Sequence, residues 1–451
     1  MAAATPSAAA AEQAVQAEQE FLLTIGPGGA AMQRLVEEEL RACLGVSDVE
    51  RCGQARFFFR AAADELDKFL LLRAPEKVSA VVLRCRAETL QHPVDQEEAE
   101  AALAALVAGS PGWPSALATW RAFARLGTSD PDLLEALPRS FRATGKKAGR
   151  RAAHLSSNGV AEFVGEALAD VKGWRVDLHD YDVEVVVHLN DDFLVVSLPL
   201  LERGSQQQNF FALKGLSQPV AWAMARSVEP MSGELVVDPM CGSGIVLFEA
   251  AQCWQGAYYL GFDNDSSQLE RSIQNLQMVG PEVAQSLSLA RGDARRLPLL
   301  DASVDAIVCD LPFGKQFGSE EGNVELYPAV VAEFHRVLKP GSGRAVLLTN
   351  KANSACLADA LSAEVTPWQV SCRRRILLGY MEAVLFVATA LPANVKDEGL
   401  MAATSGKPLL PKESCRLHWE DNNQGRRRWT AMKAVLRRPM RFVSAGKKCA
   451  R

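Results

Sequence analysis

Four short stretches of this 451-residue chain hold side chains that could do chemistry, and they come in a fixed order: "DPMCGSG" (Asp238 to Gly244), "GFDND" (Gly261 to Asp265), "RGDARRLP" (Arg291 to Pro298) and "DLPFG" (Asp310 to Gly314). In the first, Gly242 and Gly244 lack the side chains that would keep a ligand away from the backbone. No Gly-Lys-Ser/Thr follows, so this is not a phosphate loop, and Val246, Leu247 and Phe248 do not complete a dinucleotide fingerprint. In the second, Asp263 lies 19 residues after Gly244, where a carboxylate can accept both hydroxyls of a ribose. Asp263 or Asp265 could equally cap the following helix. In the third, Asp293 is placed to accept from an adenine amino group, or to close a turn. In the fourth, an acid leaves an apolar strand and is followed by Pro312, Phe313 and Gly314. Asp310 can accept hydrogen bonds and a proton, Pro312 fixes the turn through its locked φ, and Phe313 offers a ring face for stacking.

These stretches need a scaffold that brings them together. From Leu216 onward, apolar runs such as "GELVVD", "AYYLGFD", "LSLARGD", "VDAIVCD" and "GRAVLLTN" read as strands. They alternate with helical patterns in "SQPVAWAMARSV", "SGIVLFEAAQC", "SSQLERSIQNLQMVG" (ending at Gly280) and "YPAVVAEFHRVLKPG". Alternation of this kind predicts a parallel sheet with helices on both faces, whose strand ends carry the ligand site. The four acids fall at those ends. Upstream, "EFLLTI", "ARFFFRA", "KVSAVVLRC", "SFRATG", "VEVVVHLN" and "DFLVVSLPL" read as strands, with a hairpin at Asn190 to Asp192. "ADELDKFLLL", residues 96–126 (broken by Pro111 and Pro114) and "SSNGVAEFVGEALADVKG" (capped by Ser157) read as helices, giving an α+β region.

Composition narrows the classes. No apolar run reaches the roughly 18 residues of a membrane span. The Ala-rich start lacks the basic and Leu-rich segments of a secretory signal and the Arg of a transit peptide. Ten scattered cysteines without a CxxC pair suit free thiols in a reducing compartment and give no zinc site. The expected location is the cytoplasm, with the nucleus second. The net charge of −5 conceals a basic end: residues 393–451 carry 14 Lys/Arg against 5 Asp/Glu. A second basic patch, "RSFRATGKKAGRR", holds Arg139, Arg142, Lys146, Lys147, Arg150 and Arg151 and no acid. Either stretch can neutralise phosphates or simply face solvent.

The order of the four stretches resembles the successive motifs of class I S-adenosylmethionine-dependent methyltransferases that modify amino groups, over roughly residues 215–392. The block "SFRATGKKAG…SSNGVAEFVGEAL…GWRVDLHDYDVEVVVHLND" resembles a THUMP domain, an RNA-binding module. Together they resemble the THUMP-domain RNA guanine-N2 methyltransferases; "DLPFGK", "LYPA" and "GRAVLLT" are closest to the branch of THUMP domain-containing proteins 2 and 3. The chain departs at Leu311, where many amino-methyltransferases have proline. The implied fold is α/β: a class I (Rossmann-like) methyltransferase domain preceded by an α+β THUMP-containing RNA-binding region. The expected layout is a disordered leader (1–18), an α+β region (19–126), a THUMP-like RNA-binding region (127–202), a linker (203–214), the methyltransferase domain (215–392) and a basic tail (393–451).

The resemblance implies S-adenosylmethionine bound by Asp238, Gly242, Gly244, Asp263 and Asp293, and catalysis by Asp310, Leu311, Pro312 and Phe313. Guanine's exocyclic amine is a poor nucleophile, so it must be held in line and offered acceptors as it becomes positive. Asp310 and the Leu311 carbonyl can be those acceptors. The implied substrate is tRNA, or else spliceosomal small nuclear RNA, and the implied partner is a small zinc-binding activator subunit. Two other readings remain: an RNA-binding protein without catalysis, which the intact acids and glycines disfavour, and methylation of protein or adenine, which the THUMP-like block disfavours.

Overall fold

The computed structural model describes residues 18–26, 29–53, 55–86, 96–126, 138–149, 156–202, 216–277, 279, 281–314, 320–378 and 381–392. The leader before residue 18, the linker, the tail, Arg150 and Arg151 lie outside these residues. Two units are present: of the described residues, one holds 18–24 and 39–202 and the other 25–38 and 216–392.

The first unit is built on eight strands: β1 (Gln19–Thr24), β2 (Val49–Cys52), β3 (Arg56–Ala61), β4 (Lys77–Arg86), β5 (Ser140–Lys147), β6 (Arg175–Val176), β7 (Val183–Leu189) and β8 (Phe193–Glu202). They form one sheet of order β2-β3-β1-β4-β8-β7-β5-β6. The sheet is continuous across residue 127, because β4 pairs with β8 from Lys77↔Glu202 to Arg86↔Phe193. Phe21, Phe59 and Phe69 cluster in its core, with Phe21 5.4 Å from Phe59 and 4.7 Å from Phe69. The stretch "ADELDKFLL" forms a 3₁₀ helix, Ala63–Leu71. Between residues 96 and 126 there are two helices, α2 (Gln96–Ala108) and α3 (Trp113–Arg125); helix α1 (Gly29–Leu44) precedes them. Pro114 opens α3 rather than breaking a helix, since the first turn has no need of its N–H.

Helix α4 (Ser157–Lys172) is capped by Ser156, one residue before the expected cap, whose Oγ accepts from Gly159 N at 2.7 Å. It lies so close to β5 that a Cβ on Gly145 would sit 2.1 Å from the Ser157 carbonyl. The hairpin after β7 forms as expected: Asn190 Oδ1 accepts from Asp192 N and Phe193 N.

The second unit contains β9 (Leu235–Asp238), β10 (Tyr258–Asp263), β11 (Leu287–Arg291), β12 (Ala306–Asp310), β13 (Arg344–Asn350), β14 (Trp368–Leu378) and β15 (Met381–Ala390). Its sheet has the order β11-β10-β9-β12-β13-β15-β14. The first five strands are parallel, and β15 is antiparallel to both β13 and β14. Successive residues point to opposite faces. Val236, Val308 and Leu348 pack with helices α5 (Gln218–Val228) and α6 (Ile245–Cys253). Val237, Ile307 and Leu347 pack with helices α9 (Glu320–Val337) and α10 (Ser354–Leu361). Both faces are covered, which is why these strands are apolar throughout.

Helices α7 (Ser266–Leu276) and α8 (Pro281–Gln285) complete the unit. Two boundaries differ from expectation. Helix α7 ends at Leu276, before Gly280, and α9 begins at Glu320, not near Tyr327, so that Pro328 sits inside it. Burial of Tyr327, Val330, Val331, Phe334 and Val337 on one face holds α9 together across that proline.

Candidate functional site

The first turn of the site follows β9. Gly242 and Gly244 have φ of +52° and +81°, in the left-handed region that favours glycine. A Cβ on Gly244 would lie 2.5 Å from the buried Phe248 ring, so that position has no room for one. Beside Gly242 the nearest atom to such a Cβ is Gln268 Oε1 at 4.0 Å, so the backbone there is open to a ligand. Helix α7 fixes the turn from outside: Ser272 Oγ donates to Gly242 O at 2.5 Å and Asn275 Nδ2 to Ser243 O at 2.9 Å. Neither residue stands out in sequence, because each looks like a polar residue on an amphipathic helix.

The two aspartates after β10 divide their work. Asp265 caps α7, its carboxylate accepting from Ser267 N at 2.8 Å. Asp263 accepts from Gly242 N through Oδ2 and from Asp265 N through Oδ1, both at 2.9 Å. It therefore ties the glycine turn to the neighbouring strand end. Each of its oxygens still has a lone pair for a hydroxyl donor.

Asp238 is fully buried at the end of β9 and accepts from Met240 N at 3.1 Å. Burial, and then the nearby Asp310 and Asp263, push its carboxyl well above the usual carboxylate range. Asp293 lies beyond β11, half exposed, with both carboxylate oxygens held by Arg295 at 2.7–3.1 Å. The expected adenine acceptor is thus paired with a neighbour only two residues away, an ion pair the sequence reading did not anticipate.

Asp310 closes β12. Its Oδ1 is buried and has no hydrogen-bond partner among the described residues. Burial raises its pKa to about 7. The backbone beyond it is held tightly at two carbonyls and left open at one. Asn323 Nδ2 (2.8 Å) and Tyr327 OH (2.9 Å) both donate to Pro312 O. Asn350 Nδ2 (2.9 Å) and Asn353 Nδ2 (3.3 Å) donate to Phe313 O. The Tyr327 hydroxyl has one proton and gives it to Pro312, so Thr349 Oγ1, 2.7 Å away, donates to Tyr327. Leu311 N donates to Leu348 O, while no donor among the described residues reaches the Leu311 carbonyl. An unpartnered carboxylate oxygen and an unpartnered carbonyl thus stand on adjacent residues.

The Leu311 side chain is buried away in the core, so its difference from proline leaves that carbonyl in place. Phe313 is half-buried against the core, and Gly314 takes φ +82°. All four clamping side chains, and Thr349 behind them, are buried polar groups on α9, at the end of β13 and at the cap of α10. Sequence reading missed them. The start of α9 was hidden by Pro328, and "TNKAN" reads as a strand end running into a turn.

Of the basic patch, Arg139, Lys146 and Lys147 are exposed. Arg142 is not a free cation: it is paired with Glu184 at 2.8 Å and lies over the Tyr181 ring at 4.4 Å. The alternation of β5 turns it toward β7, where Glu184 is its register partner.

The strand order, the glycine turn after β9, the acids after β10 and β12 and the covered faces define a class I methyltransferase domain. Residues 206–376 match the family model described as "UPF0020: RMKL-like, methyltransferase domain". Among curated proteins, homologues include the tRNA (guanine(6)-N(2))-methyltransferase THUMP3 of Bos taurus, 33% identical over 59% of this chain and 53% of that protein. They also include the U6 snRNA (guanine-N(2))-methyltransferase THUMPD2 of Homo sapiens, 33% identical over 50% of this chain and 44% of that protein. The chain spans about half the length of these curated relatives. Among solved structures, TrmN from Thermus thermophilus superposes with a TM-score of 0.62 at 25% identity, covering 83% of this chain and all of that one.

Proposed function

We propose that this chain is an S-adenosylmethionine-dependent methyltransferase acting on guanine N2 of structured RNA, with tRNA as the first substrate to test. The observation that carries this reading is the pair of open acceptors, Asp310 Oδ1 and the Leu311 carbonyl, set in a rigid loop. A primary amine with two hydrogens and a flat ring beside it is the chemistry such a pair fits. The names of the homologues support the same substrate class. Because relatives named for tRNA and for U6 snRNA are both 33% identical over the stretches they match, the small nuclear RNA is a second reading.

The residues fit the cofactor. Gly242 leaves backbone open to it, and Asp263 offers lone pairs to its ribose hydroxyls. When bound, S-adenosylmethionine supplies a methyl group on a sulfonium. The chain's part is to hold the acceptor. Asp310 Oδ1 and the Leu311 carbonyl accept from the amine, which aims its lone pair and offsets the positive charge as the N–C bond forms and the S–C bond breaks. Asp310 then takes the proton from N2 and passes it to solvent. Phe313 provides the face for a base flipped from its helix. Arg139, Lys146 and Lys147 of the first unit would contact phosphates. A small zinc-binding activator subunit and a cytoplasmic or nuclear site are part of the proposal on the strength of the resemblance.

The test is mass spectrometry of nucleosides after incubating protein, with and without the activator, with labelled cofactor and transcripts of tRNA and U6 snRNA. Labelled N2-methylguanosine is the expected product. Label in adenosine or in protein would replace the reading.

A further inference from the structure

Strand β14 carries three consecutive arginines, Arg373, Arg374 and Arg375, at the edge of the methyltransferase sheet. None has a carboxylate within ion-pair distance among the described residues; Glu382 on the neighbouring strand is paired with Lys351 and feels the Arg375 charge only at longer range. Arg373 and Arg375 are exposed and Arg374 half-buried. A run of cations in the middle of a strand costs self-repulsion.

Register places the middle arginine of this run in the row of the acceptor loop. Asp310 pairs with Leu348, Leu348 with Leu385, and Leu385 with Arg374. Arg374 is therefore in the same cross-sheet row as Asp310, three strand spacings away, or roughly 14 Å at about 4.8 Å per spacing. Arg373 is also held in place. Its guanidinium lies 5.1 Å from the Phe386 ring and donates to Ser354 Oγ at 3.3 Å. Ser354 adjoins Asn353, which clamps Phe313 O. Alternation along the strand sends Arg374 to one face of the edge and Arg373 and Arg375 to the other.

We propose that Arg373, Arg374 and Arg375 form a phosphate-binding edge that grips the RNA backbone beside the nucleotide held at Asp310. The inference rests on the RNA methyltransferase reading and adds to it a contact surface within the catalytic unit itself. Guanidinium groups suit this task, since their planar fork matches phosphate oxygens.

The test is RNA binding by wild-type protein and by Arg374→Ala/Arg375→Ala, titrated over salt with a tRNA transcript, alongside methyl transfer by the wild type. Removing two phosphate contacts should lower the slope of log K against log salt by about 1.4–1.8 and weaken binding at low salt. Affinity for S-adenosylmethionine should stay at the wild-type value. Arg374→Lys/Arg375→Lys keeps the charge, and should keep the salt slope even if turnover falls. A double-alanine variant that is folded, binds cofactor and shows the wild-type slope overturns the proposal and leaves the arginines to an acidic protein partner. Failure of wild-type protein to label RNA at all would instead strike the RNA methyltransferase reading.

Discussion

Asp310→Ala is expected to bind S-adenosylmethionine and RNA as the wild type does and to lose methyl transfer by at least about 10²–10³-fold, the usual effect of deleting one preorganised transition-state acceptor. The side chain makes no hydrogen bond through Oδ1, so its removal breaks no described contact of that atom. Its ionisation works against folding. The folded pKa, about 7, is above the ordinary value of 3.8, so the folded state holds the proton more tightly than the unfolded chain. The penalty is absent below about pH 4, grows as pH rises, and is complete above about pH 7. At pH 8 the alanine variant should therefore melt no lower than the wild type, and loss of activity there cannot be loss of fold. Single-turnover rates at saturating cofactor and RNA, with melting curves at pH 8, check both halves. A folded variant with the wild-type rate would move the chemistry elsewhere.

The second large effect is expected at a residue that touches neither substrate nor cofactor. Asn350→Ala removes the 2.9 Å bond to Phe313 O and also the acceptor for Asn353 N at 2.8 Å. That leaves buried polar groups unsatisfied, at a cost of about 1–3 kcal/mol. The Phe313 carbonyl is then held only by the longer 3.3 Å bond from Asn353, whose own backbone has lost its partner. Turnover should fall roughly 10–100-fold, because small misplacements of reacting groups are costly. Cofactor affinity should be unchanged, since the glycine turn is anchored separately by Ser272, Asn275 and Asp263. Calorimetry for the cofactor and single-turnover kinetics for the rate separate the two. If affinity and rate fall together, Asn350 supports the whole domain rather than the loop.

The contrast between Asp310 and Asn350 also marks what could be read in the sequence. Asp310 was legible because it ends an apolar run and precedes Pro312 and Phe313, a local pattern with few other uses. The parallel sheet was legible for a related reason: strands buried on both faces, such as Leu235–Asp238 and Ala306–Asp310, are apolar throughout. Asn323, Tyr327, Asn350 and Asn353 act across 11 to 40 residues of chain, and their role exists only once α9 and β13 meet the loop. The antiparallel pair at the sheet's edge was equally hidden. In β14 the arginine run interrupts the apolar pattern, and the α/β alternation gives no hint that two strands follow without a helix between them. Asp293 was legible as a strand-end acid, but its pairing with Arg295 was not, because the resemblance pointed only to a ligand.

One measurement addresses the chemistry at Asp310 most directly: the single-turnover methyl-transfer rate from pH 5 to 9 for wild type and Asp310→Asn. Asp310 can take the proton from N2 only when it is ionised, and burial raises its pKa to about 7. The wild-type rate should climb with pH through about 7 and level off above it. Asp310→Asn has no proton to lose there, so its rate should be low and flat across the range. A wild-type profile without that limb, or an asparagine variant that retains it, would contradict the assignment of Asp310 as the group that holds the amine.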